Sequence, residues 1–336
     1  ISHAHGKKSA SDKRKAVAAA VAAAGALMAS SAAQAGVETS ASTITIKSDN
    51  TGNVIGTNQG IGNINIGTGA NTYRNNGNNV VSHDAIAIGS SATGTGDKSV
   101  AIGKDAKAIQ ENGVAVGFGA TNQSIDSVAI GTKATSGKDM DVAIGKQANA
   151  SGGESLAFGS GSKASGQATI AVGKSSNASG SSAVSVGYES AAAGNNAVAV
   201  GKNTTASATN AVAVGLRATA TGTRAIATGA GSTASGEQSL ATGFTAKALG
   251  NNSVAHGNDA VASQAADVAV GFEAKADCTS TGADGDGVVG ANNAGSAMAI
   301  GTNAQATGIV ATAIGQRSQA LANGAVALGG EAQAKK

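Results

Sequence analysis

The chain of 336 residues contains no proline, no tryptophan, four phenylalanines and two tyrosines. Without large rings a thick core cannot be filled to ordinary density, so any core must be thin. Cys278 is the only cysteine, which excludes an intrachain disulfide framework. It reads as a bystander thiol, with an interchain role as the alternative. Charged side chains make up only 13% of the sequence and histidine occurs four times. His3 and His5 fall near the start, leaving His83 and His256 far apart. No Ser–His–acid set stands at meaningful spacing and no carboxylate pair recurs on one face. The chain is therefore read as not an enzyme, with no catalytic residue, no metal site and no cofactor.

The formal net charge of +3 is unevenly placed. Lys7, Lys8, Lys13, Arg14 and Lys15 sit near the start, with only Asp12 against them. Removing residues 1–35 leaves 23 − 5 = 18 bases and 20 − 1 = 19 acids, a net charge of −1. The basic balance belongs to the leader, so a nucleic-acid partner is not expected. In that leader, KKSASDKRK at 7–15 precedes the apolar AVAAAVAAAGALMA at 16–29 and then SSAAQAG. A charged segment, a short apolar run and a small-x-small site form a secretion signal. Residues 1–35 are read as that signal, truncated at its start, with cleavage between Ala35 and Gly36.

What the chain has is glycine, 50 residues of it, in a strict period. The phrase apolar-Ala-apolar-Gly ends at Gly89 and returns every 14 residues to Gly271, then resumes at Gly301, Gly315 and Gly329. Ser185 and Thr312 are small departures from it. Thirteen intervals without an insertion mark a repeat architecture. Val100-Ala101-Ile102 alternates large and small, which is strand periodicity, and Gly103 supplies a backbone position tolerant of positive φ. Ala106-Lys107-Ala108 forms a second short strand, and a second glycine often follows, as at Gly152, Gly166 and Gly180. Each 14-residue unit is thus one coil of two strands and two turns, and stacked coils make a parallel β-solenoid.

The facing of these strands follows from sheet spacing. Facing sheets stand about 10 Å apart when side chains fill the gap. On that spacing Val100 and Ile102 point inward, toward Ala106 and Ala108. Ala101, with its column Ala87, Ala115, Ala129 and Ala143, then forms a smooth outer face that packs against other chains. The same assignment buries Thr228, Thr242 and His256, which take the Val/Ile slot before the glycine in three adjacent coils, as a polar core satisfied by hydrogen bonds.

KSVAIG at 98–103, DSVAIG at 126–131 and NSVAHG at 252–257, each followed by small-x-Ala, resemble the head repeats of trimeric autotransporter adhesins of the YadA type. The resemblance covers residues 85–271 and 297–329. It implies an all-β fold, a left-handed parallel β-roll, assembled as a homotrimer and displayed at the tip of a bacterial surface fibre. It also implies export through the inner membrane, display outside the outer membrane, and membrane contact only through an anchor absent from this chain. Heads of this family bind host matrix proteins such as collagen or fibronectin, host cells, or each other. No stalk heptads or membrane strands follow the repeats here.

The expected organisation is a signal at 1–35 and an irregular cap at 36–84. Regular head repeats follow at 85–271, an irregular insertion or loop at 272–296, and further repeats at 297–336. Asp-Gly-Asp-Gly at 284–287 lacks the ligand spacing of a calcium loop and reads as a solvated turn. Candidate ligand contacts are Ser99, Val100, Ala101, Ile102 and Gly103, and Ser127, Val128, Ala129, Ile130 and Gly131. A second set lies in the column after the phrase glycine: Phe118, Lys174, Tyr188, Lys202 and Phe244. Lys174, Tyr188 and Lys202 occupy successive coils and could stack at cation–π range, within about 6 Å. The alternative is that this column only stiffens the turn edge. The function expected is a non-catalytic adhesin head mediating attachment to host matrix or cells and autoaggregation. A self-associating structural spacer without host ligand is the alternative.

Overall fold

The computed structural model describes residues 37–40, 43–46, 62–72, 82–278 and 296–335. The leader, its expected cleavage between Ala35 and Gly36, and the 284–287 turn lie outside them. A short antiparallel hairpin joins Val37–Ser40 to Thr43–Ile46. The other described strands belong to two parallel ladders.

The first ladder stacks three-residue strands and the second stacks two-residue strands. Val100 pairs with Val114, Ala101 with Ala115 and Ile102 with Val116. In the second ladder Lys107 pairs with Thr121 and Ala108 with Asn122. The shift between partners is the sequence period, so each coil hydrogen-bonds the next. The first ladder has eighteen strands and the second seventeen, which at ordinary strand spacing gives a rod about 80 Å long.

The stack also continues past both irregular stretches. Ile64–Ile66 pairs in register with Ile86–Ile88, adding a coil ahead of residue 85. Val268 pairs with Met298 and Val270 with Ile300, so the ladder keeps its phase between the coils that end at Cys278 and begin again at residue 296.

The turns carry a second regularity. Two residues per coil hold φ between about +50° and +60°, among them Asp105, Asn112, Asn196, Asn203, Arg217 and Val310. Asn and Asp tolerate this left-handed region best, and polar residues dominate the two columns. Their amides donate to carbonyls of the coil before, as Asn112 N does to Asp97 O at 2.9 Å. Gly103 is a different case: at φ 127° it occupies a region open essentially to glycine alone. The second glycine of the unit is not needed for its φ. A Cβ on Gly180 would overlap the carbonyl of Gly194 in the next coil, so close approach is what excludes a side chain there.

The facing of the first strand is the reverse of the sequence expectation. Ala101 is fully buried, as are Ala87, Ala115, Ala129 and Ala143, whereas Ile102 is 37% exposed. The interior is lined mainly by alanine and serine. The expectation assumed an ordinary sheet-to-sheet gap. Strands of two and three residues joined by tight turns instead hold the ladders close. The Ser185 and Ser190 hydroxyls meet across the interior at 2.7 Å, and the Ser155 hydroxyl donates to the Ala164 carbonyl at 3.2 Å. Valine and isoleucine do not fit between sheets this near, so they turn outward. Thr228, Thr242 and His256 turn outward with them and are not a polar core: Thr228 and His256 are exposed and Thr242 is half-buried.

Candidate functional site

Because the large apolar residues point outward, the first ladder presents a long Val/Ile face to its surroundings. Ile102, Ile130, Ile170, Ile226 and Ile314 are each 37–40% exposed and Phe158 reaches 50%. The outward column of the second ladder is polar, with Lys107, Thr121, Asn149 and Lys163 in sequence. A contiguous apolar face of this length marks an interaction surface. Three adjacent coils interrupt it with Thr228, Thr242 and His256, where the Thr242 hydroxyl lies 2.6 Å from Nδ1 of His256.

The first set of expected contact residues is split by this geometry. Ser99, Ala101, Ser127 and Ala129 are fully buried and cannot touch a ligand. Val100 and Val128 are half-buried, Ile102 and Ile130 face outward, and Gly103 and Gly131 lie in the turn.

Of the second set, the structure brings together Lys174, Tyr188 and Lys202, while Phe118 and Phe244 lie several coils away along the same edge. Phe118, Tyr188, Leu216, Phe244 and Phe272 follow the phrase glycine in their coils and are 40–59% exposed. Lys104 Nζ sits 5.9 Å from the centre of the Phe118 ring. Lys174 Nζ and Lys202 Nζ lie 5.6 Å and 5.5 Å from the centre of the Tyr188 ring. A ring between two ammonium groups at these distances holds both through its quadrupole. The neighbouring Glu189 carboxylate raises the Tyr188 phenol above its usual range, through hydrogen bonding and its negative charge.

Two buried carboxylates were not singled out by sequence reasoning. Asp141 and Asp267 take interior positions where other coils have serine or alanine, and both are fully buried. Asp141 accepts from the amides of Lys138, Gly153 and Ser155 and from the Ser155 hydroxyl, at 2.6–3.0 Å. Asp267 accepts from the amides of Gln264 and Ala297 and from the Cys278 thiol at 3.2 Å. Burial pushes the Asp267 carboxyl above its usual range. Burial, and then the adjoining Asp267, push the Cys278 thiol up to about 12. The signal for both was an acid in a column of small residues, legible once the column is known to face inward.

The geometry defines a class: an all-β parallel solenoid with a thin alanine core, one apolar outer face and one polar outer face. The YadA head domain repeat matches it in successive, mostly overlapping stretches between residues 82 and 274 and again between 293 and 332. That is more than half of the chain, and the chain belongs to the YadA head family. Among solved structures, the collagen-binding domain of the Yersinia adhesin YadA matches at 27% identity, covering 39% of this chain and 66% of that one, with a TM-score of 0.28. This chain thus spans just under two thirds of that domain. No curated protein matches the chain.

Proposed function

We propose that the chain is the head of a bacterial surface adhesin that binds without catalysis. On this reading three copies wind as left-handed rolls and pack through their Val/Ile faces. The fibre is exported through the inner membrane and displayed outside the outer membrane. The observation that carries the assembly is the outward turn of the large apolar residues, from Ile88 to Leu328. At about 25 cal/mol per Å2 of apolar area covered, a face running the length of the rod supplies ample drive for association. Membership of the YadA head family supports the adhesive role. Heads of that family bind matrix proteins, so collagen and fibronectin are the first ligands to try, with host cells and other copies of the head next.

Two measurements test this. Light scattering on the chain gives its mass: a trimer supports the assembly, and a monomer that persists at high concentration removes it. Binding to immobilised collagen and fibronectin then separates an adhesin from a structural spacer. Clumping of coated beads without added ligand, and no binding to matrix proteins, would favour the spacer.

A further inference from the structure

Charge is unevenly distributed along the roll. Between Glu154 and Glu237 the chain carries Lys163, Lys174, Lys202, Arg217 and Arg224 against the single acid Glu189, a net of 5 − 1 = +4. Everything beyond the leader, this stretch included, nets −1. These cations do not share one surface. Lys163 sits on the outward face of the second ladder. Arg224 lies on the other turn edge, 4.0 Å from Glu237. Lys174, Lys202 and Arg217 share the edge that follows the phrase glycine, and all three are exposed. Among the described residues none of the three has a carboxylate in ion-pair range. The lone acid is engaged, since Glu189 accepts from Asn203 Nδ2 at 3.3 Å.

The edge is also held in place. Glu189 N donates to Lys174 O, Asn203 N to Tyr188 O and Arg217 N to Lys202 O, at 2.9–3.0 Å. The coil-to-coil ladder therefore runs through this turn. The Tyr188 ring sits between the two ammonium groups, which lie two coils apart, about 10 Å at ordinary strand spacing. Lysine side chains are otherwise free to wander, and fixing them beforehand lowers the ordering cost of binding.

We propose that the edge formed by Lys174, Tyr188, Lys202 and Arg217 binds an acidic polysaccharide, a sugar chain bearing sulfate or carboxylate groups at regular intervals. The site offers regularly spaced positive charge and little else. The carbonyls of Lys174, Tyr188 and Lys202 and the amides of Glu189, Asn203 and Arg217 are taken by neighbouring coils, so this turn edge offers an extended peptide no continuous strand to pair with. The ring faces are covered by the ammonium groups, so recognition falls to the cations and the outer edge of the phenol. A linear polymer of repeated charges satisfies them along the rod axis. This site goes beyond the adhesin reading and does not depend on it, because the four residues lie in one chain.

The test uses the full chain and heparin as probe. The wild type is compared with Lys174→Gln/Lys202→Gln and with a control, Lys107→Gln/Lys247→Gln, which removes two exposed lysines from the outward face of the second ladder. The proposal expects the first pair to weaken heparin binding about tenfold, equivalent to about 1.4 kcal/mol. That pair should also lower the slope of log affinity against log salt by roughly two, as loss of two counterion-releasing contacts requires. The control should change affinity less than about twofold. Equal losses from both pairs, or no heparin binding by the wild type, would overturn the proposal. Competition by poly-glutamate as effective as that by heparin would overturn the choice of a polysaccharide. Should the lysine pair fail to fold, Arg217→Gln leaves the ladder intact: weakened heparin binding supports the site and unchanged binding overturns it. Matrix-protein binding, assayed separately on the same variants, tells failure of this site from failure of the adhesin reading.

Discussion

A Cβ placed on Gly103 would lie 2.6 Å from the carbonyl oxygen of Gly117 in the next coil. Gly103 holds φ 127°, so alanine there meets both a steric and a conformational penalty. The same relation links each phrase glycine to the one above it, which is why the glycine column runs unbroken. Gly103→Ala is expected to destabilise the roll by about 2–4 kcal/mol. Urea denaturation measures it, and a midpoint equal to wild type would show that the turn relaxes at no cost.

Val310 occupies the left-handed region at φ 57° and is 57% exposed. A β-branched side chain is strained there, and little packing repays it. Most coils place a polar residue in this column, as with Asn196, Asn210 and Asn252. Val310→Asn should therefore stabilise the chain by about 1 kcal/mol. Thermal unfolding of the two proteins reads the shift, and a lower melting temperature for the variant would contradict the strain argument.

The period, the two-strand coil and the solenoid were legible in the sequence because each is a statement about spacing. The facing of the strands was not. Alternation says that Val100 and Ala101 point to opposite sides, and only the distance between ladders says which side is inside. That distance is set by turns whose residues, such as Asn112 and Asp105, carry no pattern distinctive enough to fix it in advance. The error carried over to Ser99, Ala101 and His256, whose roles all depended on facing. The Lys174–Tyr188–Lys202 ladder was legible because it depends on the column alone. Arg217 is one residue out of that column and was seen only once the turn was in place.

Asp141 supports a turn that departs from the rest of the stack. In most coils the amide opening the first strand bonds within its own turn, as Ser99 N does to Gly96 O at 3.3 Å. Ser155 N and Gly153 N instead donate to Asp141 Oδ1 at 3.0 Å. Asp141→Ala removes the acceptor for three amides and a hydroxyl, and buried donors left unpaired cost about 1–3 kcal/mol each. A total loss of at least about 3 kcal/mol in denaturant titration is expected. A loss near that of a surface substitution would mean that the turn re-forms its own bond.

Asp267 and Cys278 are both shifted toward their neutral forms, with definite consequences for pH. The folded Asp267 carboxyl is raised above its unfolded value, so its contribution is full below the unfolded range and is lost as pH rises through the folded one. Replacing it by serine, the residue at the matching positions Ser239 and Ser253, should make stability less sensitive to rising pH across the acid range. For Cys278, a thiol pushed up to about 12 holds little thiolate at pH 8. Compared with the same residue in denaturant, alkylation by iodoacetamide should slow by about 1000-fold. Equal rates in the folded and denatured chain would show that neither burial nor Asp267 holds the thiol in its neutral form.

His256 and Thr228 break an outward column otherwise filled by Val200, Val214 and Val270. If copies of the chain pack through that column, each polar group is carried into an apolar interface. The Thr242–His256 contact satisfies only one ring nitrogen. His256→Val should then strengthen the assembly, by about 1 kcal/mol per chain from added apolar burial and relief of the unpaired nitrogen. Dilution followed by light scattering reads this as a lower concentration for dissociation, with unfolding of the single chain as the internal reference. If the Val/Ile face instead remains in water, the substitution adds exposed apolar surface. The dissociation profile then stays where it was and solubility falls, an outcome that would reassign the face from chain–chain packing to another partner.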